Sequence, residues 1–417
     1  MQYLSKINWS GKFIFIILAL SLLLGFYLQE DVSTGGATVD FYLFIWKFAL
    51  ALQENFFYTY NNWEEAHLPL HSIILAAINF FANDEYLVRF IYCLISIIAP
   101  FIFYLSLKEK FSNINENLLI IFASILFILP SFRYTSIWAN VQTTAIIFFL
   151  FSNLFFLKWI KQDSRTIDKY LVLQILFMTF AVYTRADYVL YYFYFMLIYF
   201  QKLKFSDFLK LSFFVLLLSL HGFSFVYEHS VTFSNIKFTN QFQNSLLVNS
   251  SIISLYLIPI FFCVVINDVN ILRKEMKFII ISSIIFSFLV YIFSNYFNYN
   301  YSLGGGFILK LSLILLGNNF LFYISSIFGL VMLSYLAKNN LNNLILILLI
   351  LFGYSGATVF QKYFEPIFII IFFLLIHSKI SSDFFKNNKN ILYLYIYIVI
   401  YFGSSIINSF FEFSKNI

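Results

Sequence analysis

The chain has 417 residues, 61% hydrophobic and only 11% charged, with a formal net charge of +6. A soluble domain carries roughly 25% charged residues, so too few are present to cover a water-facing surface. This argues against a soluble enzyme, a nucleic-acid-binding protein or a disordered tail, and for an all-α, polytopic transmembrane helical bundle. Its apolar runs are about 15–20 residues long, enough to cross a bilayer core of roughly 30 Å. They predict about thirteen spans: Phe13–Leu28, Tyr86–Leu107, Asn117–Pro130, Val141–Leu157, Tyr170–Tyr183, Tyr188–Phe200, Phe208–Val226, Ile252–Ile266, Phe278–Phe293, Phe320–Leu336, Leu341–Val359, Phe364–Ile376 and Leu392–Phe411. The runs at Tyr170 and Phe364 are short enough to be tilted or partly re-entrant. No polar stretch has the size of a soluble domain, so residues 1–417 are expected to form a single membrane domain. Cys93 and Cys263 sit inside apolar runs and read as small core residues. The first run lacks a small-residue cleavage site after it and reads as a retained helix.

Pro69–Ala82, at fourteen residues, is short for a span. Laid in the outer interface, it puts 18 of the 26 basic residues on the cytoplasmic side, as the positive-inside rule requires. Counted as a span, it scatters the basic loops over both sides. The interfacial reading leaves a large first outer loop over 29–85 with interfacial helices, the remaining core over 86–376, and a cytoplasmic loop and last helix over 377–417. Further outer stretches are expected near Ser131–Asn140, Thr184–Asp187, Tyr227–Ser251, Ser294–Asn319 and Phe360–Tyr363.

The first outer loop holds three carboxylates, Glu30, Asp31 and Asp40, within eleven residues of a helix end, with Gly35-Gly36 between them. Asp40 opens an aromatic stretch, Phe41 to Leu52, suited to an interfacial helix. It is placed either to take a proton from an acceptor or simply to cap that helix. Arg89 lies a few residues inside a predicted span, where a charge is costly unless it pairs or reaches water. Arg133, Arg185 and Lys362 end or interrupt other apolar runs at the same outer level. Snorkelling explains any one of them; together they suggest a basic cluster facing the acidic loop and able to hold a lipid-linked phosphate. His221, Glu228 and His229 match no metal-ligand spacing, and Gly304-Gly305-Gly306 reads as a flexible outer turn rather than a phosphate loop.

The order of these motifs resembles the GT-C superfamily of integral-membrane glycosyltransferases, particularly its protein O-mannosyltransferase and lipid A aminoarabinose transferase branch. The resemblance is carried by Glu30-Asp31 and Asp40, His67-Leu68-Pro69-Leu70, Glu85-Tyr86-Leu87-Val88-Arg89, Pro130-Ser131-Phe132-Arg133, Tyr183-Thr184-Arg185 and Lys362-Tyr363-Phe364-Glu365-Pro366. It covers most of Phe13 to Ile376. The stretch Trp138-Ala139-Asn140-Val141-Gln142 lacks the carboxylate often found there in the family, and the acidic pair of the first loop is not clearly reproduced.

The resemblance implies an inverting transfer from a polyprenyl-phosphate-linked sugar to a glycan, lipid or protein acceptor at the outer face of the inner membrane. The AT-rich flavour of the composition, with 59 Phe, points to a bacterium. Asp40 or Asp31, with Glu30 as a third candidate, would be the base. Arg89, Arg133, Arg185 and Lys362 would face the phosphate, Tyr363 would position it and His67 would line the site. No cofactor is called for, although two loop carboxylates could recruit a divalent metal. The alternatives are a polysaccharide polymerase or lipid-linked oligosaccharide flippase, or a non-catalytic scaffold or transporter. The presence of Lys237 alone among basic residues in 227–251 argues against a polymerase.

Overall fold

A computed structural model describes residues 10–33, 35–65, 67–162, 165–229, 242–267, 269–300, 304–354 and 358–415. Lys237 lies outside them. The described residues are helical with no strand. Seven of their helices are long and apolar enough to cross a membrane, or eight with one bent pair counted as a span. Other predicted spans are shorter: Phe13–Leu28 corresponds to a helix over Gly11–Tyr27, Tyr170–Tyr183 to Lys169–Thr184, and Leu341–Val359 to Leu341–Gly353. These apolar helices make the chain an integral membrane protein. It divides into two compact units, Met1–Ala186 with Tyr395–Ile417, and Asp187–Leu394.

The first unit begins with α1 (Gly11–Tyr27). The chain between it and the next span forms α2 (Gly36–Asp40), a π-helical turn over Phe41–Trp46, α3 (Lys47–Glu54), α4 (Phe56–Asn61) and α5 (Leu70–Ala82). At thirteen residues α5 is about 20 Å long, too short to cross a bilayer core. It packs on α3 and on α6 (Glu85–Ser96). Asp84 caps α6, its carboxylate accepting from the N–H groups of Tyr86 and Leu87. α6 continues into α7 (Ile98–Lys110), with Pro100 in the first turn, where no N–H is needed.

α8 (Glu116–Ala123) tightens into a 3-10 turn over Ser124–Ile128, then turns through 67° into α9 (Pro130–Ile137). Proline disfavours the helical region at the residue before it, and Leu129 is accordingly extended at φ −74°, ψ 122°. Sequence reading expects an outer stretch at Ser131–Asn140. The structure instead has a helix with all eight residues buried. Its polar composition is absorbed locally, Thr135 Oγ1 donating to the Ser131 carbonyl at 2.6 Å. Asn140 caps α10 (Val141–Lys161), which packs along α7 and α11 (Lys169–Thr184).

The second unit contains α12 (Val189–Lys202), α13 (Phe205–His229), α14 (Phe242–Asn267), α15 (Val269–Ser294), α16 (Gly306–Leu316), α17 (Phe320–Ala337), α18 (Leu341–Gly353), α19 (Ile367–Leu374) and α20 (Lys379–Phe384). The final helix, α21 (Asn388–Lys415), begins in the second unit and ends in the first. α14 forms the buried centre, whereas α13 and α15 expose most of their apolar side chains, as lipid-facing helices do. α16 was not expected: it lies within 294–319, read from sequence as an outer stretch. The glycines before it adopt positive φ, and Gly305 N–H donates to the Val359 carbonyl at 2.8 Å, an approach a side chain on Gly304 would block. The predicted span Phe364–Ile376 holds α19, whose eight buried residues rise only about 12 Å.

Candidate functional site

The three first-loop carboxylates have different surroundings. Glu30 is forked onto Arg133: Nε donates to Oε1 at 2.8 Å and Nη2 to Oε2 at 2.7 Å. The remaining Arg133 protons reach the Ser21 hydroxyl and the Ser21 and Phe127 carbonyls. Gly25 makes room for the fork, since a Cβ there would stand 2.6 Å from both Arg133 Nη2 and Glu30 Oε2. Asp31 organises its own loop, taking the Ser33 N–H and hydroxyl on one oxygen and the Thr38 N–H and hydroxyl on the other. Asp40, half-buried at the end of α2, receives a long 3.4 Å bond from Asn140 Nδ2.

Arg89 is 2% exposed. Its guanidinium lies 3.6 Å from the Trp138 ring centroid, with Phe41 and Phe26 at 5.5 and 5.6 Å, an aromatic box that replaces part of the lost hydration. Nε donates weakly to the Ile137 carbonyl at 3.4 Å, and Nη1 stands 3.7 Å from Glu85 Oε1. That same oxygen accepts from Tyr42 Oη at 2.8 Å. Arg89 Nη2 has no hydrogen-bond partner among the described residues.

The α9–α10 junction ties the acid and the cation together. Trp138 covers Arg89, Asn140 reaches Asp40, and Phe41, next to Asp40, lies near both Arg89 and Trp138. Ala139, between them, takes φ +43°, a region that side chains avoid. His71 Nε2 donates to its carbonyl at 2.7 Å, while His71 Nδ1 and Tyr92 Oη both meet Thr144 Oγ1.

Glu65, 5% exposed, joins this neighbourhood. Burial pushes its carboxyl up to about 8; a hydrogen bond from Ser72 works against the rise and the charge of Asp40 adds to it. Sequence reasoning missed Glu65, Tyr42, Trp138 and Asn140 as site residues. For Glu85 and Arg89 the i,i+4 spacing was a readable signal; burial of Glu65 has no counterpart in local sequence.

His67 is half-buried, its carbonyl accepting from Trp63 Nε1 at 2.7 Å. Arg185, 5% exposed, follows α11 at the end of the first unit. Lys362 and Tyr363 belong to the second unit: the Lys362 ammonium lies 5.5 Å from the Phe360 ring, and Tyr363 stacks on Tyr354 at 5.8 Å. Close by in sequence, Glu365 is fully buried and accepts from Tyr256 Oη at 2.6 Å, which accepts in turn from Gln361. A separate small pocket in the second unit is lined by Phe261, Met332, Tyr335 and Glu275 and contains none of the expected site residues. Among the described residues no three His, Cys, Asp or Glu side chains converge as a metal site would require. No protein-family model, curated protein or solved structure matches this chain.

Proposed function

We propose that the chain is a GT-C-like membrane glycosyltransferase of about thirteen membrane segments, moving a sugar with inversion from a polyprenyl-phosphate donor to an envelope acceptor at the outer face of a bacterial inner membrane. The observation that carries this reading is the junction Trp138-Ala139-Asn140, where Asn140 meets a half-buried carboxylate, Asp40, and Trp138 covers a boxed guanidinium, Arg89. In the reaction, the acceptor hydroxyl attacks the anomeric carbon and gives its proton to Asp40. The bond from that carbon to the phosphate oxygen breaks, and the lipid phosphate leaves with the electron pair. Arg89 offsets the charge that gathers on the leaving oxygen. Asp40 is favoured as the base because the oxygens of Glu30 and Asp31 are engaged by Arg133 and by the loop. His67, Arg185, Lys362 and Tyr363 remain candidates for contacts to donor or acceptor.

The test is turnover of a radiolabelled polyprenyl-phosphate sugar pool in cells carrying Asp40→Asn, Asp31→Asn or Arg89→Gln at normal expression. Asp40→Asn and Arg89→Gln are expected to lower transfer by about 100-fold or more, and Asp31→Asn by much less. Unchanged transfer in both of the first two would reject the reading.

A further inference from the structure

The two arginine–glutamate pairs of the first unit differ in a way that bears on what Arg89 binds. A carboxylate built to hold an arginine grips it with two oxygens below 3 Å, as Glu30 grips Arg133. Glu85 offers Arg89 one oxygen, at 3.7 Å, and that oxygen is already the acceptor of Tyr42 Oη. Arg89 Nη2 has no partner among the described residues, while the rings of Trp138, Phe41 and Phe26 surround the guanidinium. A buried guanidinium proton without an acceptor is unfavourable, and a tetrahedral oxyanion would satisfy it. Glu85 and Tyr42 are themselves accessible, Glu85 being 31% exposed at its side chain and Tyr42 43%, so both can turn outward into water.

We propose that Glu85, latched by Tyr42, is a placeholder counter-ion that an incoming phosphate group displaces from Arg89. The exchange forms two charge-assisted hydrogen bonds from Nη1 and Nη2 to phosphate oxygens and releases the Glu85 carboxylate to solvent with its charge intact. The aromatic box holds the guanidinium plane throughout. The latch makes phosphate binding weaker than the box alone would allow. It also keeps Arg89 neutralised between turnovers, when an uncompensated buried charge would be most costly. This inference rests on the anion-binding role given to Arg89 above and adds a competitor to it.

The experiment measures equilibrium binding of two probes to the full chain in lipid nanodiscs at pH 7: undecaprenyl phosphate in the disc, and inorganic phosphate in solution. Removing the competitor in Glu85→Gln is expected to tighten binding by about 5-fold or more, and Tyr42→Phe to tighten it by less. The arm in which this occurs identifies the source of the phosphate, lipid headgroup or free anion. Arg89→Gln is expected to weaken binding of that probe at least about 10-fold. Unchanged or weaker binding of both probes in Glu85→Gln and Tyr42→Phe, with Arg89→Gln still deficient, overturns the placeholder role alone. Wild-type binding in Arg89→Gln overturns the anion site itself. Monodisperse elution of each variant separates these outcomes from misfolding.

Discussion

Arg133 and Arg89 are buried almost equally, at 4% and 2% exposure, and sit on neighbouring helices of the same unit, yet their surroundings differ. Around Arg133, the guanidinium donates to two carboxylate oxygens, two carbonyls and a hydroxyl. Around Arg89, the contacts are three ring faces, a weak carbonyl bond and a distant carboxylate shared with a tyrosine. One environment satisfies the charge completely and fixes helix positions. The other shields the charge while leaving hydrogen-bonding capacity unspent, which is what a ligand-facing group needs. Burial therefore does not distinguish the two arginines; the completeness of the donor set does.

The largest test of this contrast is thermal unfolding in detergent. Arg133→Met leaves Glu30 without its cation and is expected to cost about 3–5 kcal/mol, with the double variant Glu30→Gln/Arg133→Met recovering much of the loss. Arg89→Met, which removes mainly a cation–π contact, is expected to cost about 1–2 kcal/mol. Equal losses for the two single variants would erase the distinction.

Glu65 sharpens it from the acid side, as a buried carboxyl with a hydroxyl and another acid for neighbours. Its proton affinity is raised on folding, from the ordinary 4.5 to about 8. The stabilisation is therefore complete below pH about 4.5 and is lost as the pH rises through 8, on the order of a few kcal/mol. Glu65→Gln should flatten the fall of the unfolding midpoint between about pH 5 and 8; an unaltered slope would mean that another group titrates there.

A more modest effect than that of Arg133→Met is expected at Gly25. Alanine is the better helix former by about 1 kcal/mol, but its Cβ would wedge into the Arg133–Glu30 fork. Gly25→Ala is expected to destabilise by a net of about 1–3 kcal/mol, read from the same melting curves, and a stabilised variant would show that the fork tolerates displacement.

Charge placement in the sequence singled out Glu30, Asp40, Arg89 and Arg133, because each ionisable group near an apolar run demands an explanation. The sequence did not reveal who pairs with whom. Arg133 reads as part of an outer cluster because it ends an apolar run; the structure instead puts it in a buried helix, where Thr135 returns its hydroxyl to the Ser131 carbonyl. Helices α1, α10, α13 and α17 were legible because their apolar runs are long. α16 and the buried α19 were harder, as short apolar helices share their composition with loops near a membrane and are positioned only by tertiary neighbours. Asn140 stands where a carboxylate was missed in the sequence, and it serves as a donor to Asp40 instead.

The Glu30–Arg133 fork joins groups 103 residues apart in the chain. At a synthesis rate of roughly 5–20 residues per second, the acid waits several seconds beside the insertion machinery before its arginine emerges. α9 carries that arginine with two serines, a threonine and a tyrosine, a poor candidate for release into lipid on its own. The fork therefore cannot close until α9 has been made, so the chain end of α1 gains its counter-ion only late in the synthesis of this unit.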